Sequence, residues 1–341
     1  MTANKRPVLV APDKFKGTFT AAEVARAVAD GLARVGIAAD FCGIADGGEG
    51  TLDRVVESLG GEVHSASCHD AIGLPRDGRF AVVGEGRGAF ALVESADAIG
   101  LELIPEHKRD ALAASSRGVG ELIAAAAGTG VREIYVAVGG TASTDGGAGA
   151  LEALCEAKLV GRRGALKGLP KLTALCDVRA AWEQAALVFS SQKGASRVET
   201  AELASRLDAL AAELPRDPRG KLLTGAGGGL SGGLWAACGA ELKSGAAFVL
   251  DAAGFTPRML TARAVITGEG ALDRQTLLGK AVGEVATRAR QAGVPCHAIV
   301  GEMRMSEFDA RILDFESWTA ASTLDEISDA AERLVGVVAQ R

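Results

Sequence analysis

Apolar residues fall into two alternating patterns along the chain: short continuous runs, and longer stretches with helical spacing. Val8–Pro12 is a five-residue run, and after a polar loop the apolar residues between positions 24 and 32 recur at intervals of three and four. Thr20 and Glu23 stand three residues apart just before that stretch, which predicts a capping box. The chain therefore begins with a predicted strand, loop and helix.

The same strand–loop–helix rhythm is found again in the second segment and near the end of the chain. Strands alternating with helices predict a parallel sheet with right-handed crossovers. The predicted strands there are residues 38–44, 264–267 and 297–300, and the predicted helices are 52–59, 279–292 and 324–338. The middle of the chain carries predicted strands at 62–67, 79–84, 89–93, 134–138 and 186–189, and predicted helices at 110–127 and 196–214.

These patterns predict an α/β protein with two lobes. Residues 1–62 and 258–341 share the strand–helix alternation, so we expect them to form one discontinuous domain around a doubly wound parallel sheet. Residues 63–257 are richer in turn signals and are expected to form an inserted mixed α/β domain. The chain of 341 residues is long enough for two such domains, and an active-site cleft is expected between them.

Composition narrows the possible functions. The net charge is −6 with no basic tract, and aromatic residues make up 4% of the chain, which argues against a nucleic-acid surface. The six cysteines form no CxxC pair and the four histidines form no zinc pattern. The N-terminal apolar run is too short for a signal peptide. We therefore expect a cytoplasmic protein with free buried thiols and without a nucleic-acid or membrane partner.

Five loops share a composition rich in glycine together with acidic, hydroxyl or lysine residues. Glycines let backbone amides approach a phosphate group. Acidic residues repel bare phosphate, so their presence predicts an intervening cation such as Mg²⁺. Together the loops predict metal-assisted phosphoryl transfer. They are residues 13–17, 46–49, 139–150, 225–233 and 268–273.

Each loop has a structural alternative when taken alone, since DGG is a common turn sequence. Residues 225–233 contain GxGxxG, but no strand and downstream acid make it a dinucleotide fingerprint. This makes a dehydrogenase the least favoured class. Lys280 follows a glycine, but Arg274 stands where a P-loop would have its first glycine. The joint occurrence of all five loops favours a ligand site.

Several of these segments resemble the signature segments of the type I glycerate kinases, in family order and across nearly the whole chain. They are APDKFKGTFTAAEVA, ADGGEGTLD, VGGTASTDGGAGALEAL, CDV, SQKGA and VITGEGALDRQTLLGK. The resemblance implies a flavodoxin-like lobe with an inserted lobe. It also implies transfer of the γ-phosphoryl group of ATP to D-glycerate with Mg²⁺, usually giving 2-phosphoglycerate.

The resemblance also suggests candidate roles for the loop residues. Asp145 or Asp46 would orient the substrate hydroxyl, and Lys16 or Lys193 would neutralise the transferring charge. Mg²⁺ would be held by Glu269, Asp273 or Asp177. The substrate acid would meet Asp13, Lys14, Thr141, Ser143 and Thr144, and ATP would meet Gly225, Gly227, Gly228, Gly229, Gly232 and Lys280.

Two departures from the family pattern leave alternatives open. Ala271 stands where the family has an arginine, which would be a natural clamp for a carboxylate or phosphate. This favours a kinase for a related small sugar acid. The segment after Asp177 is shorter than in the family, which favours a nucleotide-binding homologue without catalysis. A monomer and a homodimer are both compatible with the sequence.

Overall fold

The structure, a computed structural model, describes residues 6–15, 17–161 and 168–338. The strands are β1 (Val8–Pro12), β2 (Ala39–Phe41), β3 (Glu62–His69), β4 (Pro75–Val83), β5 (Phe90–Glu94), β6 (Glu133–Ala137), β7 (Lys171–Cys176), β8 (Glu241–Ser244), β9 (Ala264–Gly268), β10 (Ala271–Leu272), β11 (Cys296–Val300), β12 (Glu302–Met303) and β13 (Ser317–Ala320). The helices are α1 (Ala21–Arg34), α2 (Thr51–Leu59), α3 (Ser95–Ile99), α4 (Arg117–Ala127), α5 (Ala148–Glu156), α6 (Gln184–Phe189), α7 (Arg197–Glu213), α8 (Leu230–Cys238), α9 (Gly245–Ala252), α10 (Phe255–Thr261), α11 (Ala281–Ala292), α12 (Glu307–Leu313) and α13 (Leu324–Val338).

The first compact unit comprises Met1–Ala45 and Val249–Arg341. Its five-stranded sheet has the order β13-β11-β9-β1-β2, and every neighbouring pair is parallel. The strands β1, β9 and β11 are fully buried, which explains why they appear in the sequence as continuous apolar runs. The α/β class and the parallel sheet predicted from the sequence are confirmed.

Helices α1 and α13 pack together against this sheet. Val24, Val28 and Leu32 of α1 lie in one core with Ile327 of α13. Gly31 permits this approach, because a Cβ atom there would lie 2.0 Å from the carbonyl oxygen of residue 328. The predicted capping box at the start of α1 is confirmed, with the Thr20 side chain accepting from the Glu23 amide and the Glu23 carboxylate accepting in return.

The second compact unit comprises Asp46–Phe248 and contains a mixed sheet. The strand order is β3-β4-β5-β6-β7-β8, antiparallel from β3 to β5 and parallel from β5 to β8. Its core is aliphatic, as the low aromatic content predicts. The carboxyl ends of the parallel strands β5, β6 and β7 lie at one edge of the sheet, which is the usual ligand edge of such folds.

The compact units divide the chain at Ala45 and Phe248, whereas the sequence places the boundaries at 62 and 257. Residues 46–62 join the second unit because Glu94 on β5 accepts hydrogen bonds from the backbone amides that begin α2. At the other boundary, Arg258 of α10 forms an ion pair with Asp40 of the first unit. Side-chain contacts of this kind leave no signal in a hydrophobic pattern.

Two predicted elements in the middle of the chain are wrong. The predicted strand 186–189 is the helix α6, because Ala185 and Ala186 pack with Leu203 and Leu207 of α7. A short apolar run suits a strand and a buried helix equally. The helix predicted at 110–127 begins at Arg117, since the Asp110 carboxylate accepts two nearby amides and holds a turn there.

Composition-based expectations are met in part. Five of the six cysteines are buried free thiols as predicted, but Cys155 is exposed. No helix in the described ranges has the length and apolarity needed to cross a bilayer.

Candidate active site

The loop between Ala45 and α2 lies against the turn after β6. We call residues 46–50 the Asp46 loop. The Gly139 amide donates to the Gly47 carbonyl at 3.0 Å, and within the loop the Gly48 amide donates to the Asp46 carboxylate at 3.1 Å. A Cβ atom at Gly47 would lie 2.9 Å from the Leu175 carbonyl oxygen on β7. Glycine therefore lets the Asp46 loop sit on the strand ends.

Asp177 follows β7 and lies in the same region as Asp46. Its Oδ1 atom is buried and has no hydrogen-bond partner among the described residues. The pKa of Asp177 is raised, mainly because the carboxylate is buried and secondly because the negative charge of Asp46 is nearby. A Cβ atom at position 139 would lie 2.8 Å from Asp177 Oδ2, so Gly139 makes room for this carboxylate. Both aspartates lie beside the contact between Gly48 and Gly139, and we call them the carboxylate pair.

Lys193 brings a positive charge to this site. The residue is 7% exposed and lies in a short 3₁₀ turn after α6. Its Nζ donates to Thr141 Oγ1 at 3.3 Å and to the Ser143 carbonyl. Burial lowers the pKa of Lys193 to about 8, although the charges of Asp177 and Asp145 act in the opposite direction. Sequence reasoning therefore selected a lysine that is buried, and not a surface charge.

Two buried hydroxyl groups lie beside Lys193. Ser143 is 0% exposed and Thr144 is 2% exposed, and neither side-chain oxygen has a hydrogen-bond partner in the described part of the chain. Buried polar atoms without partners are rare in native proteins, because each costs the free energy of its lost hydration. These hydroxyls and Asp177 Oδ1 can therefore form hydrogen bonds with a small polar ligand.

Asp145 accepts several hydrogen bonds at the beginnings of two helices. Its Oδ2 atom accepts from the Ser116 amide at 2.8 Å, the Ser116 hydroxyl at 2.7 Å and the Gly149 amide at 3.1 Å. Its Oδ1 atom accepts from the Gly147 amide at 3.1 Å. The carboxylate thus caps the beginnings of α4 and α5. The structure shows Asp145 as a helix-capping residue, and its predicted role in orienting the substrate hydroxyl stays a prediction.

The glycine tract at residues 225–233 serves close packing. The amides of Gly225, Gly229 and Gly232 donate to backbone carbonyls, so they are not available to phosphate in this conformation. Gly228 has φ +67°, and a Cβ atom there would lie 2.2 Å from the Ser143 carbonyl oxygen and 2.9 Å from Lys193 Nζ. The tract therefore holds the Ser143 and Lys193 region in place. The predicted role of Gly227 and its neighbours in binding ATP stays a prediction.

A second cluster of predicted residues lies in the first unit, at the end of β9. Glu269 is buried, and its carboxylate accepts from Thr276 Oγ1 at 2.5 Å and from Lys280 Nζ at 3.4 Å. Lys280 Nζ also lies 3.7 Å from the Asp273 carboxylate. Burial is the main reason that the pKa of Glu269 is raised. The structure thus brings together three of the predicted residues as one paired acid–base cluster.

The other predicted residues of the first unit lie after β1. The Asp13 amide donates to the Gly268 carbonyl at 2.8 Å, and the Lys14 amide donates to the Asp13 carboxylate at 2.7 Å. Asp13 is therefore at the same sheet edge as the end of β9. Lys16 lies outside the described residues.

The predicted magnesium ligands divide between the two units. Asp177 belongs to the second unit, and Glu269 and Asp273 belong to the first. No group of three or more His, Cys, Asp or Glu suited to a metal is found in the described parts of the chain. Mg²⁺ at phosphate sites commonly takes one or two carboxylates and completes its shell with water and phosphate oxygens. The pair of Asp46 and Asp177 fits that kind of site, because Asp177 Oδ1 has no hydrogen-bond partner among the described residues.

Glu94 was missed by sequence reasoning. It ends β5, is 4% exposed, and accepts hydrogen bonds from the Gly50 amide at 3.0 Å and the Leu52 amide at 2.9 Å. A charged residue directly after the apolar run 89–93 was the available signal, because such a residue at a strand end faces the ligand edge of the sheet.

The burial of Glu94 predicts a pH-dependent stability. Burial outweighs the two amide hydrogen bonds and raises the pKa of Glu94 from 4.5 to about 7. Between these values the folded state binds more protons than the unfolded state, so this group's contribution to stability falls as the pH rises, by about 3 kcal/mol in total. In urea unfolding, the stability of wild type relative to Glu94→Gln should fall over that range. A difference that stays constant with pH would contradict the raised pKa.

Comparisons with known proteins show what this chain is similar to. The sequence model of the Glycerate kinase family matches residues 8–167 and 156–340. A glycerate kinase of Halalkalibacterium halodurans is 36% identical over 326 residues, covering 87% of this chain and 85% of the relative. The glycerate 2-kinase of Escherichia coli K12 is 33% identical over the same shares of the two chains. The crystal structure of a Salmonella typhimurium LT2 protein that carries the name glycerate kinase 2 is 28% identical, with a TM-score of 0.75 and 98% of both chains covered.

Proposed function

The chain belongs to the glycerate kinase family, and from that premise we propose that it transfers the γ-phosphoryl group of ATP to D-glycerate in a Mg²⁺-dependent reaction, giving 2-phosphoglycerate. The observation that carries the proposal is the buried polar centre around Lys193. It combines, within a single unit, one cation, a carboxylate pair and two hydroxyls without a hydrogen-bond partner among the described residues.

The polar groups of this centre match those of glycerate. The acid has one carboxylate and two hydroxyls on three carbons, so it needs a positive charge, hydrogen-bond donors and an acceptor. Lys193 offers the charge, and the hydroxyls of Ser143 and Thr144 offer the donors. The carboxylates of Asp46 and Asp177 can accept from the substrate hydroxyl that is phosphorylated.

Phosphoryl transfer requires the protein mainly to position the reactants and to stabilise charge, and little covalent chemistry by its side chains. The substrate hydroxyl oxygen forms a bond to the γ-phosphorus, the bond from that phosphorus to the β,γ-bridging oxygen breaks, and ADP leaves. One aspartate of the pair receives the hydroxyl proton. Lys193, held by Thr141 and the Ser143 carbonyl, places its charge where negative charge develops.

The carboxylate pair also suits a metal ion. When bound, Mg²⁺ neutralises the charge on the β- and γ-phosphate oxygens. Asp177 would hold it, because its Oδ1 atom is buried without a hydrogen-bond partner among the described residues, and Asp46 is then the carboxylate that receives the hydroxyl proton. The proposal keeps the predicted ATP contacts of the glycine tract and Lys280. It also keeps the predicted substrate contacts of Asp13 and Lys14 and the predicted charge neutralisation by Lys16.

The test is a direct assay. We expect purified protein with ATP, MgCl₂ and D-glycerate to release ADP, and phosphorus NMR of the product to show a phosphate on the secondary 2-hydroxyl. Omission of glycerate and addition of EDTA are the controls. A signal from the primary 3-hydroxyl would change the product assignment and keep the reaction class.

A related substrate is the second candidate. Ala271 occupies the position of the family arginine, and in the structure it lies in β10, paired with Glu302 of β12. A panel of three- and four-carbon hydroxy acids would decide between them. Turnover of a four-carbon acid without turnover of glycerate would change the assigned substrate and keep the reaction class. ATP binding without turnover of any acid would contradict the proposed activity.

A further inference from the structure

Helix α2 has no N-terminal cap of its own. The residue before it is Gly50, which has a left-handed conformation with φ +89° and no side chain to accept a hydrogen bond. Glu94 supplies that function from β5, with one carboxylate oxygen on the Gly50 amide and the other on the Leu52 amide. The cap thus comes from a neighbouring strand and joins the sheet to the end of the Asp46 loop.

The other side of the Asp46 loop is held by the neighbour of Glu94. The Ser95 hydroxyl donates to the Gly139 carbonyl at 3.2 Å, and the Gly139 amide donates to the Gly47 carbonyl. Glu94 and Ser95 are both buried. Two adjacent residues at the end of β5 therefore fix both the loop that carries Asp46 and the turn that lies against it.

This arrangement fixes the loop that carries Asp46. Asp46 lies only four residues from Gly50, while Asp177 is fixed separately at the end of β7. A Cβ atom at Gly48 would lie 3.0 Å from Asp46 Oδ1 and 3.7 Å from Gly139 Cα, so the loop has little free space around the Asp46 carboxylate. A shift of the Gly50 end would therefore move Asp46 relative to Asp177.

We propose that Glu94 is a positioning residue for phosphoryl transfer, because it anchors the Asp46 loop so that Asp46 is held beside Asp177. The inference rests on the proposed function for its catalytic consequence. A residue that only stabilised α2 would change the stability of the protein and leave kcat unchanged. A positioning residue changes kcat as well, since small displacements of a reacting group carry large rate costs.

Glu94→Gln is the test variant. It keeps the shape of the side chain and one acceptor oxygen, but it replaces the second acceptor with an NH₂ group that cannot accept an amide hydrogen bond. We expect kcat to fall by about tenfold with little change in KM for glycerate or ATP. We also expect faster amide hydrogen exchange in the peptide that covers residues 46–52.

Thr323→Ala is the matched control, with circular dichroism as the check that every variant folds. Thr323 Oγ1 accepts the Glu326 amide at 3.2 Å at the start of α13, so this variant also loses one helix cap, but at a helix of the first unit that does not follow the Asp46 loop. It should keep the wild-type kcat and the wild-type exchange of residues 46–52. Glu94→Asp, whose shorter side chain keeps both acceptors, should recover part of the lost kcat.

The outcomes separate this inference from the proposed function. If wild type releases no ADP with glycerate, the proposed function fails, and the exchange measurement still tests the anchor without any substrate. Unchanged exchange of residues 46–52 in Glu94→Gln overturns the inference in either case. In an active enzyme, a wild-type kcat in that variant, or an equal loss of kcat in Thr323→Ala, also overturns it.

Discussion

Replacing Lys193 with methionine is expected to lower kcat/KM for the phosphorylation of D-glycerate by about a thousandfold. The physical reason is the position of the charge, since Lys193 Nζ is buried and bonded to Thr141 Oγ1 and the Ser143 carbonyl. A buried cation acts on developing negative charge with little screening by water. Methionine has a similar length and is apolar, so the fold should survive. Steady-state kinetics with ATP and glycerate measure the loss.

A surface lysine in the same unit supplies the control. Lys171 on β7 is exposed and pairs with Glu133 and Glu241, so Lys171→Met should keep the activity of wild type. Thermal unfolding should show both variants folded. A Lys193→Met enzyme with wild-type kcat/KM would remove Lys193 from the proposed mechanism.

Replacing Asp145 with alanine is expected to lower the free energy of unfolding by about 4 kcal/mol. Three backbone amides and one hydroxyl lose their acceptor together, and they belong to the beginnings of two helices that pack in the same core. Asp145→Asn should lose less, because its remaining oxygen can still accept from part of this set. Urea unfolding followed by circular dichroism measures both losses.

Asp208→Ala is the comparison for this effect. Asp208 is exposed on α7 and forms a surface ion pair with Arg219, so its loss should cost no more than about 1 kcal/mol. Equal losses of unfolding free energy for Asp145→Ala and Asp208→Ala would show that the capping hydrogen bonds of Asp145 stabilise the fold no more than a surface ion pair does.

In the first unit, local sequence patterns predict most of the secondary structure correctly. Its strands are continuous apolar runs, and α1 carries a capping box and an apolar face, so local signals agree with the final fold. Predictions failed where the local signal was ambiguous, as at α6, where four apolar residues fit a strand or a helix. Packing against α7 decided the outcome.

The candidate site shows the same division. The resemblance to the family selected Lys193, Asp177, Ser143 and Thr144 as candidate site residues, and their roles stay predictions. It could not separate Asp145 from Asp46, since both stand in DGG loops. The hydrogen bonds of Asp145 to the ends of α4 and α5 distinguish them, and these bonds join residues 29 positions apart.

The sequence by itself determined the α/β class, the parallel sheet of the first unit and the composition of the loops, because periodicity, capping and glycine preference are local properties of the chain. The tertiary structure decided which of these loop residues are buried, which carboxylates are already bonded, and that Glu94 holds the Asp46 loop. Those facts depend on contacts between strands and helices that are distant in sequence. A pattern of apolar and polar positions does not record such contacts, because the free energy of a buried charge depends on which groups the fold brings to it.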